Sequence, residues 1–148
     1  MNARDAKEYL KRAYQAAKRE SEIRERIMVA EEQAKSATGS VTAERVSGTP
    51  GRSKVETYAL LAVSYREQLE DIMCDVVRIK TEISNVIAMM QDERSKRLLE
   101  LRYIDFLPWH VIARKMNYSE AMVRQVIHYK AIGEFATLMT ELEEKAAE

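Results

Sequence analysis

At 148 residues the chain has room for one small domain or two very small ones. Glycine and proline are scarce, and Ala, Glu, Lys, Arg, Leu, Ile and Met dominate, so the expected fold class is all-α. Its 24 basic residues balance 24 acidic ones, so no global field drives it toward nucleic acid, and any such affinity must come from local charge.

Residues 3 to about 37 read as one long helix. Tyr9, Ala13, Ala16, Ile23, Ile27, Ala30, Ala34 and Ala37 keep a four-three spacing, interrupted only by Glu20. This seam is rich in alanine, which permits close approach but buries little area, so the helix should be weakly held without a partner. Residues 38–54 lose the period and gather Gly39, Gly48, Pro50 and Gly51 among serines and threonines. They read as a connector, with Arg45, Arg52 and Lys54 as a basic arm in the sharper reading.

Residues 55–91 hold the cleanest pattern. Tyr58, Ala62, Tyr65, Leu69, Ile72, Val76, Ile79, Ile83, Val86 and Met90 alternate steps of four and three, and Leu61, Met73, Val77 and Ile87 widen the stripe. A stripe that wide expects two neighbours. One is the first helix folded back antiparallel, and the other is the same helix of a second subunit, giving a homodimer. Cys74 is alone in the chain and reads as a small buried or half-buried filler.

Residues 92–132 carry eight basic and five acidic residues. Leu98, Leu99 and Leu101 form an apolar face that Tyr103 and Ile104 close, and Asp105-Phe106-Leu107 breaks the pattern. Pro108 suits a helix start. Trp109, Ile112, Ala113 and Met116 then face inward at helical spacing. Asn117 tolerates the left-handed conformation that ends helices, and Ser119 is a good N-cap, with Tyr118 and Val123 placed to form a staple. The grammar is helix-turn-helix.

In the last helix of this unit, α-helical spacing turns Val123, Val126 and Ile127 inward and leaves Lys130 and Ala131 near the edge. Glu120, Ala121, Arg124, Gln125 and His128 then point outward. Arginine and glutamine pair bidentately with guanine and adenine edges, so Arg124 and Gln125, with His128, are the expected base readers. Arg114, Lys115 and Lys130 are the expected phosphate anchors. The candidate interface is Arg114, Lys115, Ser119, Glu120, Ala121, Arg124, Gln125, His128 and Lys130; the plainer reading is a solvated polar helix face.

The stretch LLELRYIDFLPWHVIARKMNYSEAMVRQVIHYKAI resembles region 4 of bacterial sigma factors. More closely, it is similar to small phage and prophage regulators of the ArpU and RinA type, which join helical segments to such a unit. The matching elements are the LLELRY run, the W-x-x-I-A core of the second helix and the S-E-x-x-V-R start of the third, over about the last third of the chain. The resemblance implies a DNA-contacting role for Arg124, groove-facing neighbours at Gln125 and His128, and contact with RNA polymerase. Pro108, the His110-Val111 pair and Asn117 depart from the sigma pattern, which usually has a Ser or Thr cap, an acidic pair and a glycine there. The first two alter the surface of the second helix, where sigma-type domains touch the DNA backbone.

Residues 133–148 read as a continuing acidic helix and tail, striped by Phe135, Leu138, Met139 and Leu142, with Gly133 as a kink or early stop. No apolar run approaches the ~20 residues of a membrane span, and the charged MNARDAKEYLKRA start lacks a signal-peptide core. A soluble cytoplasmic protein without membrane partners is expected. His110 and His128 have no ligand-like spacing to cysteine or carboxylate, no phosphate loop occurs, and nothing pairs a nucleophile with a base, so neither an enzyme nor a cofactor is expected.

These readings divide the chain into an assembly hairpin at 1–91, a helix-turn-helix at 92–132 and the tail. The function they point to is a sequence-specific, double-stranded-DNA-binding transcription regulator. Its rivals are a phage small terminase subunit, which would form a ring, and a protein that binds polymerase or sigma factor and never touches DNA.

Overall fold

The computed structural model describes residues 1–40 and 53–148, the side chains of 38–40 excepted. The protein is all-helical, with no strand among the described residues. Helices α1 (Ala3–Ser40) and α2 (Lys54–Ala88) are long. Helix α3 (Glu93–Leu99) passes directly into a π-helical turn, Glu100–Ile104. Helix α4 (Trp109–Met116) follows, and a second π-helical turn, Met122–Ile127, leads into α5 (His128–Ala146). Gly48, Pro50, Gly51, Arg45 and Arg52 of the expected connector lie outside the described residues, while α1 continues to Ser40 and α2 begins at Lys54.

The helix starts follow from short polar side chains. Asn2 Oδ1 accepts the Asp5 N–H at 2.8 Å, and Ser53 Oγ accepts the Glu56 N–H at 3.2 Å, each satisfying a donor that the first turn leaves free. Asp92 caps α3 through the Arg94 N–H at 3.1 Å and also accepts the buried Ser95 hydroxyl at 3.1 Å.

Packing divides the chain into two compact units, Ala16–Asp75 and Met1–Gln15 with Val76–Glu148, so the division does not follow the sequence boundary at 91. In the first unit, α1 and α2 run antiparallel: Glu31 pairs with Arg66, and Arg24 reaches the Met73 sulfur at 3.6 Å. Its buried apolar residues are Ala16, Ile23, Ala30, Ala37 and Ala62, the thin seam that the heptad spacing predicts. Cys74 is exposed rather than packed, because it sits one residue beyond the stripe's edge at Met73.

The second unit holds the larger core. Leu10 of α1, Ile83 and Ile87 of α2, Leu98 and Leu99 of α3, Ile112 of α4, and Val123, Ile127, Ile132 and Phe135 further on are all at most 1 % exposed. Burying a side chain of that size stabilises a fold by roughly 1.5–3 kcal/mol. Gly133 does not stop α5, which continues unbroken to Ala146. Glycine's helix penalty of about 1 kcal/mol is outweighed by the buried Ile132, Phe135, Ala136 and Met139 around it. Among the described residues, no helix is long and apolar enough to cross a membrane.

Candidate nucleic-acid interface

The candidate surface is built from α4, the turn after it and the helix that begins at Glu120. Pro108 supplies an extended residue at the start of α4 (φ −70°, ψ 156°), and Ile112 and Ala113 bury its inner side. Asn117 adopts the left-handed conformation (φ 60°, ψ 41°) and ends the helix, as its residue type predicts. Ser119 Oγ then accepts the Met122 N–H at 3.1 Å, so the serine caps the next helix. The Arg94 guanidinium lies 5.6 Å from the centre of the Tyr118 ring and donates to the Tyr118 hydroxyl at 3.4 Å, and this hydrogen bond raises the Arg94 pKa.

The next helix departs from simple α-helical register. The His128 N–H bonds to the Val123 carbonyl, five residues back. Such a turn advances less rotation per residue than an α-turn. Carried forward from Val123, the α-helical spacing turns Val126 in and His128 out. The wider turn does the reverse. Val126 is 52 % exposed and His128 only 8 %. Ala131, expected at the edge, is fully buried for the same reason. Tyr129, 79 % exposed, takes the outward place expected for His128, in line with Ala121 and Gln125 at steps of four.

His128 is therefore a packing residue. Its Nε2 lies 2.7 Å from the Tyr103 hydroxyl, and its ring meets Trp109 edge-on with centres 4.8 Å apart. Arg102 covers Trp109, 4.4 Å from the ring centre, and donates to the Leu107 carbonyl at 3.1 Å. Burial lowers the His128 pKa to about 4, helped by the positive charges of Lys7 and Arg102. Burial likewise raises the Tyr103 hydroxyl to about 12. The pair is neutral at ordinary pH.

Lys130 is also not a free anchor. Its ammonium lies 3.0 Å from Asp92 Oδ2 and 3.8 Å from Glu134 Oε1. The hydrogen bond from Lys130 is the main reason that the Asp92 carboxyl titrates below its ordinary value. Lys130 thus ties the third helix of the unit to the start of α3.

The other expected residues are each exposed. Arg114 and Lys115 stand in the last turn of α4, and Ser119, Glu120, Ala121, Arg124 and Gln125 lie at the start of the next helix, all exposed. Among the described residues, the side chains of Arg114, Lys115, Arg124 and Gln125 make no hydrogen bond or ion pair, so their donors are available to a partner. Spacing alone does not identify Tyr129 and Val126 as part of this surface. The available signal was the run Val123, Ile127, Ile132, whose steps of four and five fit a widened turn better than an α-helix.

No curated protein and no solved structure matches the chain. The family described as a protein of unknown function, DUF1492, matches residues 35–135, a span that contains every residue of the candidate surface. The chain belongs to the DUF1492 family.

Proposed function

We propose that this protein is a sequence-specific, double-stranded-DNA-binding transcription regulator whose reading unit is a helix-turn-helix of the sigma-region-4 kind. The observation that carries the reading is the two-sided character of the helix that Ser119 caps. Val123 and Ile127 are buried, while Arg124 and Gln125 are exposed and, among the described residues, make no hydrogen bond or ion pair. A serine-capped helix held by two others, with an arginine and a glutamine facing out near its N-terminus, is the shape that enters a major groove. In this reading Arg124 and Gln125 contact base edges and Arg114 and Lys115 contact phosphates. Tyr129 extends the reading face in place of His128. The protein acts by binding and not by catalysis.

The test is selection of bound sequences from random duplex DNA with the full chain, followed by mobility shift. A defined consensus that Arg124→Ala binds more weakly supports the reading. Equal affinity of the native chain for all duplexes at low salt, or no binding at all, overturns it.

A further inference from the structure

The unit Ala16–Asp75 is a pair of antiparallel helices whose buried seam is four alanines and one isoleucine. Alanine removes little apolar surface from water, so most of what this pair could bury lies outside it. Met28 is 67 % exposed, Val29 51 %, Leu60 49 %, Val63 47 % and Leu61 38 %. Helices that are apolar on more than one side belong to bundles, and two helices make only half of one.

The two sides of the pair differ. One carries the Arg66–Glu31 pair, the Arg24–Glu20 pair at 2.9 Å, and Arg24 against the Met73 sulfur. By helical spacing, the other carries Val29, Leu61 and Tyr65, which line a groove with Glu22, Glu25 and Arg26. The stretch of α1 from 16 to 37 is about 33 Å long and two helices are roughly 20 Å wide, so this side offers on the order of 650 Å², near the ~800 Å² per partner of a stable interface. Two carboxylates and one guanidinium along the groove repel a nucleic-acid backbone. They suit a surface of the same mixed charge, because a two-fold axis can bring each copy's Arg26 to the other's Glu22 and Glu25.

We propose that this side is the seat of a second copy of the chain, and that two helical pairs close into a four-helix bundle through Val29, Leu61 and Tyr65. The inference does not rest on DNA binding. It deepens the dimer expected from the heptad stripe by naming the surface.

The test is sedimentation velocity of the full chain across micromolar concentrations, with thermal unfolding at each concentration. The expected species has twice the 17.1 kDa chain mass, and its melting midpoint rises with concentration. Val29→Lys and Leu61→Lys should each weaken self-association at least tenfold, while Val63→Lys, outside the groove, should leave it unchanged. If a lysine variant loses helicity by circular dichroism, Leu61→Ala, a good helix former, should still weaken association several-fold. A monomer at every concentration, a larger closed ring, or a dimer indifferent to changes at Val29 and Leu61 overturns the proposal.

Discussion

The Tyr103 hydroxyl sits 2.7 Å from Nε2 of His128, joining the first π-helical turn to the start of α5 in the core of the C-terminal unit. Both groups are buried, and among the described residues neither side chain has another hydrogen-bonding side-chain partner. Tyr103→Phe leaves the imidazole nitrogen unpaired, and an unsatisfied buried polar group costs about 1–3 kcal/mol. Urea unfolding should show a lower midpoint with an unchanged slope. An unchanged midpoint would mean that water replaces the hydroxyl freely.

The same histidine predicts a pH dependence. Its pKa falls from 6.5 to about 4 on folding, so between those values the unfolded chain binds more protons than the native one. Its full contribution is present above pH 6.5, declines as the pH drops, and is lost near pH 4. The span is worth about 3 kcal/mol. Unfolding free energies measured between these limits should fall more steeply for the native chain than for His128→Phe. Asp92, whose pKa is lowered below 3.8, loses its contribution only at more acid pH and does not confuse the window.

Arg124→Ala should weaken specific DNA binding by ~1–3 kcal/mol and relax the preference at one base pair. Lys115→Ala should instead weaken binding to all sequences and reduce the slope of log affinity against log salt by about 1. Lys130→Ala should leave that slope unchanged, because Asp92 and Glu134 already hold its ammonium.

Tyr129 and His128 are neighbours with opposite assignments. Tyr129→Ala removes a side chain that is 79 % exposed and should change stability by less than ~0.5 kcal/mol, yet alter the selected DNA sequence. His128→Ala should cost stability on the order of 3 kcal/mol and leave sequence preference intact wherever the protein remains folded. Paired unfolding and selection experiments on the two variants check the register directly.

The turn before the helix capped by Ser119 offers a simpler check. Asn117 has φ 60°, which an alanine adopts poorly and a glycine freely. Asn117→Ala should cost about 1 kcal/mol in thermal unfolding, and Asn117→Gly should be neutral or mildly stabilising.

The legible parts of this molecule were those governed by local rules. The Ser119 cap, the left-handed Asn117, the alanine seam of α1 and the long stripe of α2 all depend on side-chain size, spacing or hydrogen bonding within a few residues. What escaped the sequence depends on a change of helical pitch. MVRQVIH by itself does not mark a π turn, and only the longer step from Ile127 to Ile132 points to one; the turn brings both Ile127 and His128 into the core. One added residue per turn was enough to exchange His128 for Tyr129 on the outer face and to expose Val126. Lys130 was misjudged differently: its partner Asp92 is distant in sequence, and only the folded chain brings the two charges to 3.0 Å.

Phe106 carries φ 58°, an unfavourable value for a bulky side chain, in the turn that precedes α4. Its ring is held between Tyr14 of α1, centres 5.6 Å apart, and Lys80 of α2, 4.9 Å from the ring centre. The rods therefore fix the posture of a loop they do not belong to. Phe106 thus makes the conformation of the entrance to α4 depend on the spacing between Tyr14 and Lys80.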